Sequence, residues 1–162
     1  MKKIFTSILM GLSIFACTVG PKYITLTNRD INYYASKKIN SSQNYIVAQA
    51  KISNINTEVR NGYIYSDIAY SYKILGGAIA STTGVAKVKY QLDVKQNKLY
   101  IKYPEIISIK TKNGLIPDKK VELAIASLIT NSLEYADLYD FKDQAYVTRV
   151  YIGANTVTLV TE

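Results

Sequence analysis

The sequence contains no histidine and no tryptophan, and it has only one cysteine and three prolines. Without histidine the chain lacks the commonest general base and the commonest metal ligand. A single cysteine allows no disulfide within the chain, so a folded domain must be held by its core alone. The formal net charge is +8, yet no run of four basic residues occurs. Scattered lysines of this kind keep a protein soluble rather than build a polyanion site. The longest apolar stretch, Ile4 to Ala16, falls short of the roughly 20 residues a membrane-spanning helix needs. Paired carboxylates are the hydrolytic chemistry left open by the missing histidine. Asp67, Asp93, Glu105, Glu122 and Glu134 are the candidates, but no two stand in a motif with mechanistic spacing. Ser71-Tyr72-Lys73 and Ser108-Ile109-Lys110 lack the S-x-x-K spacing of serine–lysine chemistry. The expectation is no enzyme, no cofactor and no metal.

Met1-Lys2-Lys3 followed by the apolar run to Ala16 has the form of a secretory signal: basic start, apolar middle, small residue before a cut. The cut defines the kind of signal. Ile14-Phe15-Ala16-Cys17 resembles a lipobox, in which an aliphatic residue, a tolerant position and a small residue precede an obligatory cysteine. An ordinary signal-peptidase cut after Ala16 wants a small residue where Ile14 stands. Residues 1–16 are therefore expected to be a lipoprotein signal peptide, with Cys17 the lipid-modified first residue of the mature chain. Acyl chains on Cys17, each buried CH₂ contributing about 0.8 kcal/mol, would hold the protein to a membrane almost permanently. The expected location is the cell envelope, facing the periplasm. Thr18 in place of an aspartate leans the sorting towards the outer membrane rather than the inner. That destination excludes nucleic acid as a routine partner. Without Lys2 and Lys3 the balance is 18 basic to 12 acidic side chains, or +6.

Residues 17–22 read as a tether and 23–162 as one domain, since about 145 residues suit a single core. Tyr23-Ile24-Thr25-Leu26 alternates as a short strand. Thr27 with Asp30 resembles a capping box, and Ile31, Tyr34, Ala35 and Ile39 continue at helical spacing to Lys37-Lys38. Asn40 to Asn44 is loop by composition. Ile46, Ala48, Ala50 and Ile52 share one strand face, whereas Ile55, Thr57 and Val59 sit on odd positions. This slip of phase predicts a bulge. Asn61-Gly62 is a hairpin signal, followed by an inward face of Ile64, Ile68, Tyr70, Tyr72 and Ile74. Gly76-Gly77 and Gly84 bracket a flexible connection.

Val85–Lys95 alternates most regularly, with Val88, Tyr90, Leu92 and Val94 to one side. After the Gln96-Asn97 turn, Leu99, Ile101, Tyr103, Ile107 and Ile109 are expected on one face, with Pro104 marking an edge or a bulge. Asn113-Gly114 reads as a turn and Pro117-Asp118 as the start of a helix running to about Asp137. Its apolar stripe is wide enough to predict cover on more than one side. Ala145–Ile152 and Thr156–Val160, joined at Gly153-Ala154-Asn155, form a hairpin. The fold class is α+β: a strongly curved antiparallel sheet of about four long strands plus a C-terminal hairpin, wrapped around a long C-terminal helix, with a shorter N-terminal helix.

The lipobox, the stretch Tyr23 to Asn32, Asn97-Lys98-Leu99-Tyr100-Ile101, the helix Val121 to Leu138, Gln144-Ala145-Tyr146-Val147 and the closing Asn155 to Val160 occur in an order that resembles the YceB-like family of bacterial lipoproteins. The resemblance covers nearly the whole mature chain. It implies a fold similar to the TULIP lipid-binding superfamily, in which a curved sheet wraps a long helix and leaves an apolar groove. On that reading Val88, Tyr90, Leu92, Leu99, Ile101 and Tyr103 face Leu128, Ser132 and Tyr135 across a groove for a lipid or other apolar ligand. Without the resemblance the same residues read as an ordinary closed core. The alternative function is an envelope scaffold or inhibitor module that binds a protein or glycan partner.

Overall fold

A computed structural model describes residues 20–39, 42–44, 48–74, 81–114, 118–134, 136–142 and 146–162. The expected signal peptide, Cys17, Ile46, the Gly76-Gly77 connection, Pro117, Tyr135 and Ala145 lie outside the described residues. The described residues are α+β and mostly strand, with two helices and a strongly curled antiparallel sheet. The strands are β1 (Lys22–Thr27), β2 (Ser42–Asn44), β3 (Ala48–Arg60), β4 (Tyr63–Ile74), β5 (Ser81–Lys95), β6 (Lys98–Gly114), β7 (Asp137–Asp140), β8 (Val147–Ile152) and β9 (Thr156–Thr161). The helices are α1 (Asn28–Lys38) and α2 (Lys119–Glu134).

The four long strands β3 to β6 meander as expected, but the sheet has six members, in the order β2-β3-β4-β5-β6-β7. The C-terminal hairpin does not simply extend it. With β1 it forms a second, three-stranded sheet in the order β1-β9-β8. Two features correct the sequence expectation for the long helix. It ends at Glu134, and Asp137–Asp140, placed partly inside it by periodicity, is strand β7. There β7 pairs with the start of β6, buries Leu138 and sets Asp137 and Asp140 beside Lys98. Nor is α2 enclosed. It buries one stripe, Ile125, Leu128, Ile129 and Leu133, and exposes Leu123 (61%) with Glu122, Ser127 and Asn131. The helix therefore lies along β6 and reaches β3, covering the sheet from one side.

Curvature comes from extra residues. In β3 the register shifts between Ser53 and Ile55, the slip visible in the sequence. Between β5 and β6 it shifts three times. Tyr103 and Pro104 stand against Tyr90 alone, Ile107 is extra between the Val88–Ile106 and Lys87–Ser108 pairs, and Lys112 is extra between Gly84–Thr111 and Thr83–Asn113. Each bulge bends the strand that carries it and adds twist. Asn61 (φ 51°) with Gly62 (φ 81°), and Gln96 (φ 51°) with Asn97 (φ 58°), give the hairpins two central residues at positive φ, as tight two-residue turns favour. Asn113-Gly114, read as a turn, ends β6 as strand instead.

A capping box starts α1. Asp30 Oδ2 accepts from the Thr27 amide (2.8 Å) and hydroxyl (2.7 Å), and Thr27 Oγ1 accepts from the Asp30 amide (3.4 Å). The Thr27 hydroxyl, and then its amide, hold the Asp30 carboxyl below the usual carboxylate range. The helix then seals the edge of β3. Among the described residues β2 pairs with β3 only at Gln49–Lys51. Beyond that, Asn32 Oδ1 accepts from the Thr57 amide (3.1 Å) and Asn28 Oδ1 from the Val59 amide (2.7 Å). The match is geometric. Four helical residues advance about 6 Å, and two strand residues about 6.6 Å. Ile31 and Ala35, on the same side of α1, are fully buried in the core.

Two contacts tie the sheets together. The Asn61 and Gly62 amides donate to the carbonyls of Ala154 and Gly153 at the tip of the β8–β9 hairpin (3.3 and 3.1 Å). Asn97 donates from Nδ2 to the Lys142 carbonyl (2.7 Å) and accepts from the Val147 amide (2.9 Å).

Replacing Asn32 by alanine strands the Thr57 amide at a partly buried edge. The expected loss is about 1–3 kcal/mol, read by urea denaturation. Arg29→Ala, one turn away and exposed, is expected to change stability little. Equal losses at the two positions would show that the edge contact contributes nothing.

Candidate functional site

Two regions stand out, and the sequence pointed to only the first. The first is the inner face of the curled sheet. Val88, Tyr90, Leu92, Leu99, Ile101 and Leu128 are all buried, and all belong to one cluster with Ile52, Ile64, Ile68 and Val157. They cover one another, as a filled core does. Ser132, on α2, is half-buried. Tyr135 lies outside the described residues. Tyr103 is a correction: it is 71% exposed at φ 52°. The bulge against Tyr90 turns it away from the face it was expected to share with Leu99 and Ile101. Ile107, at the next bulge, is turned out in the same way.

The inner face carries hydroxyls that the hydrophobic pattern did not single out. Thr57 Oγ1 lies 3.1 Å from Ser66 Oγ, and Ser66 Oγ lies 2.9 Å from the Tyr90 hydroxyl. The three residues stand on adjacent strands β3, β4 and β5, and all are buried. Their signal was positional: Ser66 falls between Ile64 and Ile68, and Thr57 between Ile55 and Val59, on the inward parity of each strand. Burial pushes the Tyr90 phenol up to about 12, against the opposing effect of its Ser66 and Thr57 hydrogen bonds.

Tyr70 differs. It is 3% exposed, and its hydroxyl has no hydrogen-bond partner among the described residues. Its ring lies over Gly84 on the neighbouring strand. A side chain at position 84 would strike the Lys110 carbonyl and the Tyr70 phenol, so the glycine is required by close approach and not by its φ.

The second region is the outward face of the three-stranded sheet. Cross-strand pairing puts Tyr23, Val160 and Arg149 in one row, and Thr25, Thr158 and Tyr151 in the next. A cleft of about 740 Å³ lies here, bordered by Gly20, Pro21, Lys22, Tyr23, Arg149 and Tyr151, with Glu162 at its rim. Tyr23 (66%) and Tyr151 (54%) are exposed. A smaller hollow of about 270 Å³ runs between β6 at Ile106–Ile109 and the Lys119, Glu122, Leu123 and Ala126 side of α2.

Three of the five carboxylates considered for hydrolysis are engaged in ion pairs. Asp67 faces Lys87 (3.6 Å), Asp93 meets Lys102 (2.9 Å) and Glu105 meets Lys89 (2.7 Å), as surface pairs across neighbouring strands. Glu122 and Glu134 are exposed on α2. Among the described residues no group of three or more His, Cys, Asp or Glu side chains could hold a metal, and no helix is long and apolar enough to cross a membrane. Comparison with protein families and with curated proteins finds no match to this chain.

Tyr90 gives the molecule an alkaline limit. An unfolded tyrosine ionises near 10, whereas the folded phenol is held to about 12. The folded pKa is the higher one, so this contribution to stability is complete below pH 10 and is lost as pH rises towards 12. Denaturation midpoints measured from pH 8 to 12 should fall less steeply for Tyr90→Phe than for the parent. Parallel slopes would show that the buried phenol is not coupled to folding.

Proposed function

We propose that the protein is a membrane-anchored envelope lipoprotein, attached through acyl chains on Cys17, that holds a lipid or similar apolar ligand between the curled sheet and α2. The lipobox-like Ile14 to Cys17 and the ordered resemblance to the YceB-like lipoproteins support the anchor. Thr18, in place of an aspartate after Cys17, favours the periplasmic side of the outer membrane. The observation that carries the ligand is Tyr70. A buried hydroxyl without a partner costs about 1–3 kcal/mol, and Tyr70 has none among the described residues, whereas Thr57, Ser66 and Tyr90 on the same inner face bond one another. An amphipathic ligand would satisfy the Tyr70 hydroxyl with a polar atom of its own while its hydrocarbon displaced the α2 stripe from the sheet. Because α2 covers the sheet from one side only, its displacement opens the inner face without unmaking a strand pair.

Native mass spectrometry of the protein purified from bacterial envelopes tests both parts. The expected mature chain begins at Cys17 with the added mass of acyl chains, and Cys17→Ser is neither cleaved nor acylated. The expected complex retains a lipid that Tyr70→Phe loses, while the delipidated Tyr70→Phe protein is at least as stable as its parent. A bare, unmodified N-terminus would end the anchor, and equal lipid content in both proteins would end the role of Tyr70.

A second reading, a protein-binding envelope module, is favoured by the edge of β6. Among the described residues β7 pairs with β6 only at Lys98–Tyr100. Farther along, Ile107 is exposed beside the hollow and Leu123. An open strand edge next to an apolar side chain is what an extended peptide uses to add itself to a sheet. Photo-cross-linking from position 107 in intact cells should yield one abundant adduct if this edge is occupied. A smear no stronger than that from an exposed α1 position such as Arg29 would remove this reading.

A further inference from the structure

We infer that the outward face of the β1-β9-β8 sheet rests on a lipid surface, so that the protein lies against its membrane instead of swinging from it. The inference builds on the anchoring reading above and adds an orientation.

The first argument is reach. Only Thr18 and Val19 separate Cys17 from Gly20. Three residues extend at most about 11 Å. The headgroup layer on one side of a bilayer is about 5–8 Å thick. Acyl chains on Cys17 would reach into the hydrocarbon, so Gly20, Pro21 and Lys22 would stand at the headgroups. A longer linker would let the domain tumble, whereas a span of at most about 11 Å keeps Gly20 close to the headgroups.

The second argument is which surface the short linker leads to. Gly20 to Tyr23 form one wall of the 740 Å³ cleft, and Arg149 and Tyr151 belong to the same lining. From Lys22 the chain runs directly into β1, an edge strand of this sheet. The Thr161 hydroxyl donates to the Lys22 carbonyl (3.2 Å), which fixes the chain to the sheet at the point where it enters.

The third argument is chemistry. Tyrosines at a membrane interface set the ring among acyl carbons and the hydroxyl among headgroups, and arginine and lysine pair with phosphates. The face offers Tyr23 and Tyr151 with Arg149, between the neutral side chains Thr25, Thr158 and Val160; Lys22, paired with Thr161 on the other parity, is exposed where the chain enters the sheet and borders the same cleft. Glu162, at the rim, is the acidic side chain in the lining of the cleft. Tyr103 and Ile107 are also exposed, but they stand on β6 of the other sheet, which the tether does not lead to.

The missing tryptophan makes the test clean. Tyr23→Trp and Tyr151→Trp each introduce the sole indole of the full chain, at exposed positions where folding is not at stake. Each protein is purified in its processed form from bacterial envelopes and reconstituted into phosphatidylethanolamine–phosphatidylglycerol vesicles. Flotation reports anchoring, and lipids brominated near the top of their acyl chains quench an indole that lies at the interface. The expected result is flotation with marked quenching of the emission at both positions, since the interface lies within about 5–10 Å of the brominated carbons, and little quenching for Tyr103→Trp. Flotation without quenching at positions 23 and 151, or with equal quenching at 103, overturns the orientation and leaves the anchor standing. Failure to float overturns both. An indole that is unmoved by vesicles but shielded in intact envelopes assigns the face to a protein partner and overturns the lipid surface.

Discussion

The sheet can curl because β6 is longer than the strand it follows. Three times along the β5–β6 ladder, two residues of β6 answer one of β5, and each time the surplus residue is pushed out of the ladder's alternation. The outer strand of a tightly bent sheet has the longer path, and the bulges supply the length. This constraint decides the environment of many side chains. Tyr103 and Ile107 are turned to solvent, and the inward row of β6 changes parity between Ile101 and Ile106. The Tyr70 ring on β4 occupies the space a side chain at Gly84 on β5 would need.

A curled sheet still has edges, and each is dealt with differently. The edge of β3 takes the carbonyls of two asparagines from α1, one helical turn apart, in place of a strand. The start of β6 is covered by the short β7, held by Lys98 between Asp137 and Asp140 and by Lys38 on Asp137. Such exposed pairs add at most about 1 kcal/mol each, so they fix the placement of β7 more than they stabilise it. Tyr34, Tyr139 and Phe141 stack edge to face behind them, with centroids 4.7 and 4.9 Å apart. Among the described residues the remaining stretch of β6 has no strand beyond it next to α2, and Pro104 is tolerated there because none of them needs its missing amide.

Much of this architecture could be read from residue patterns. Alternation located the four long strands, the phase slip near Asn54 located the β3 bulge, and Thr27 with Asp30 located the start of α1. These are local signals, set by neighbours in sequence. The misreadings are nonlocal. Counting by twos placed Tyr103 with Leu99 and Ile101, because a bulge in β6 is defined only against β5. Helical spacing carried α2 through Asp137, because Tyr139 and Ala136 fit a 3.6-residue period equally well until pairing with Lys98–Tyr100 is known. Nothing near β1 in the sequence indicates that it pairs with β9. Of the residues expected to line a groove, Val88, Tyr90, Leu92, Leu99, Ile101 and Leu128 do face inward, since parity and helical spacing give direction where no bulge intervenes. Whether an inward face is filled depends on what meets it from across the fold, and spacing carries no information about that.

The pairing of β1 with β9 also orders events in time. Thr161 and the Lys22 carbonyl it bonds are 139 positions apart, and β1 has no other strand beside it among the described residues. Contacts between such distant positions form late, because the whole intervening loop must first be closed. The curled sheet can assemble from neighbouring hairpins as the chain grows, while β1 stays unpaired until the last six-residue strand has been synthesised. The stretch nearest Cys17 is thus the final one to be locked in place, and whatever acts on that end of the polypeptide meets it before the fold has closed around it.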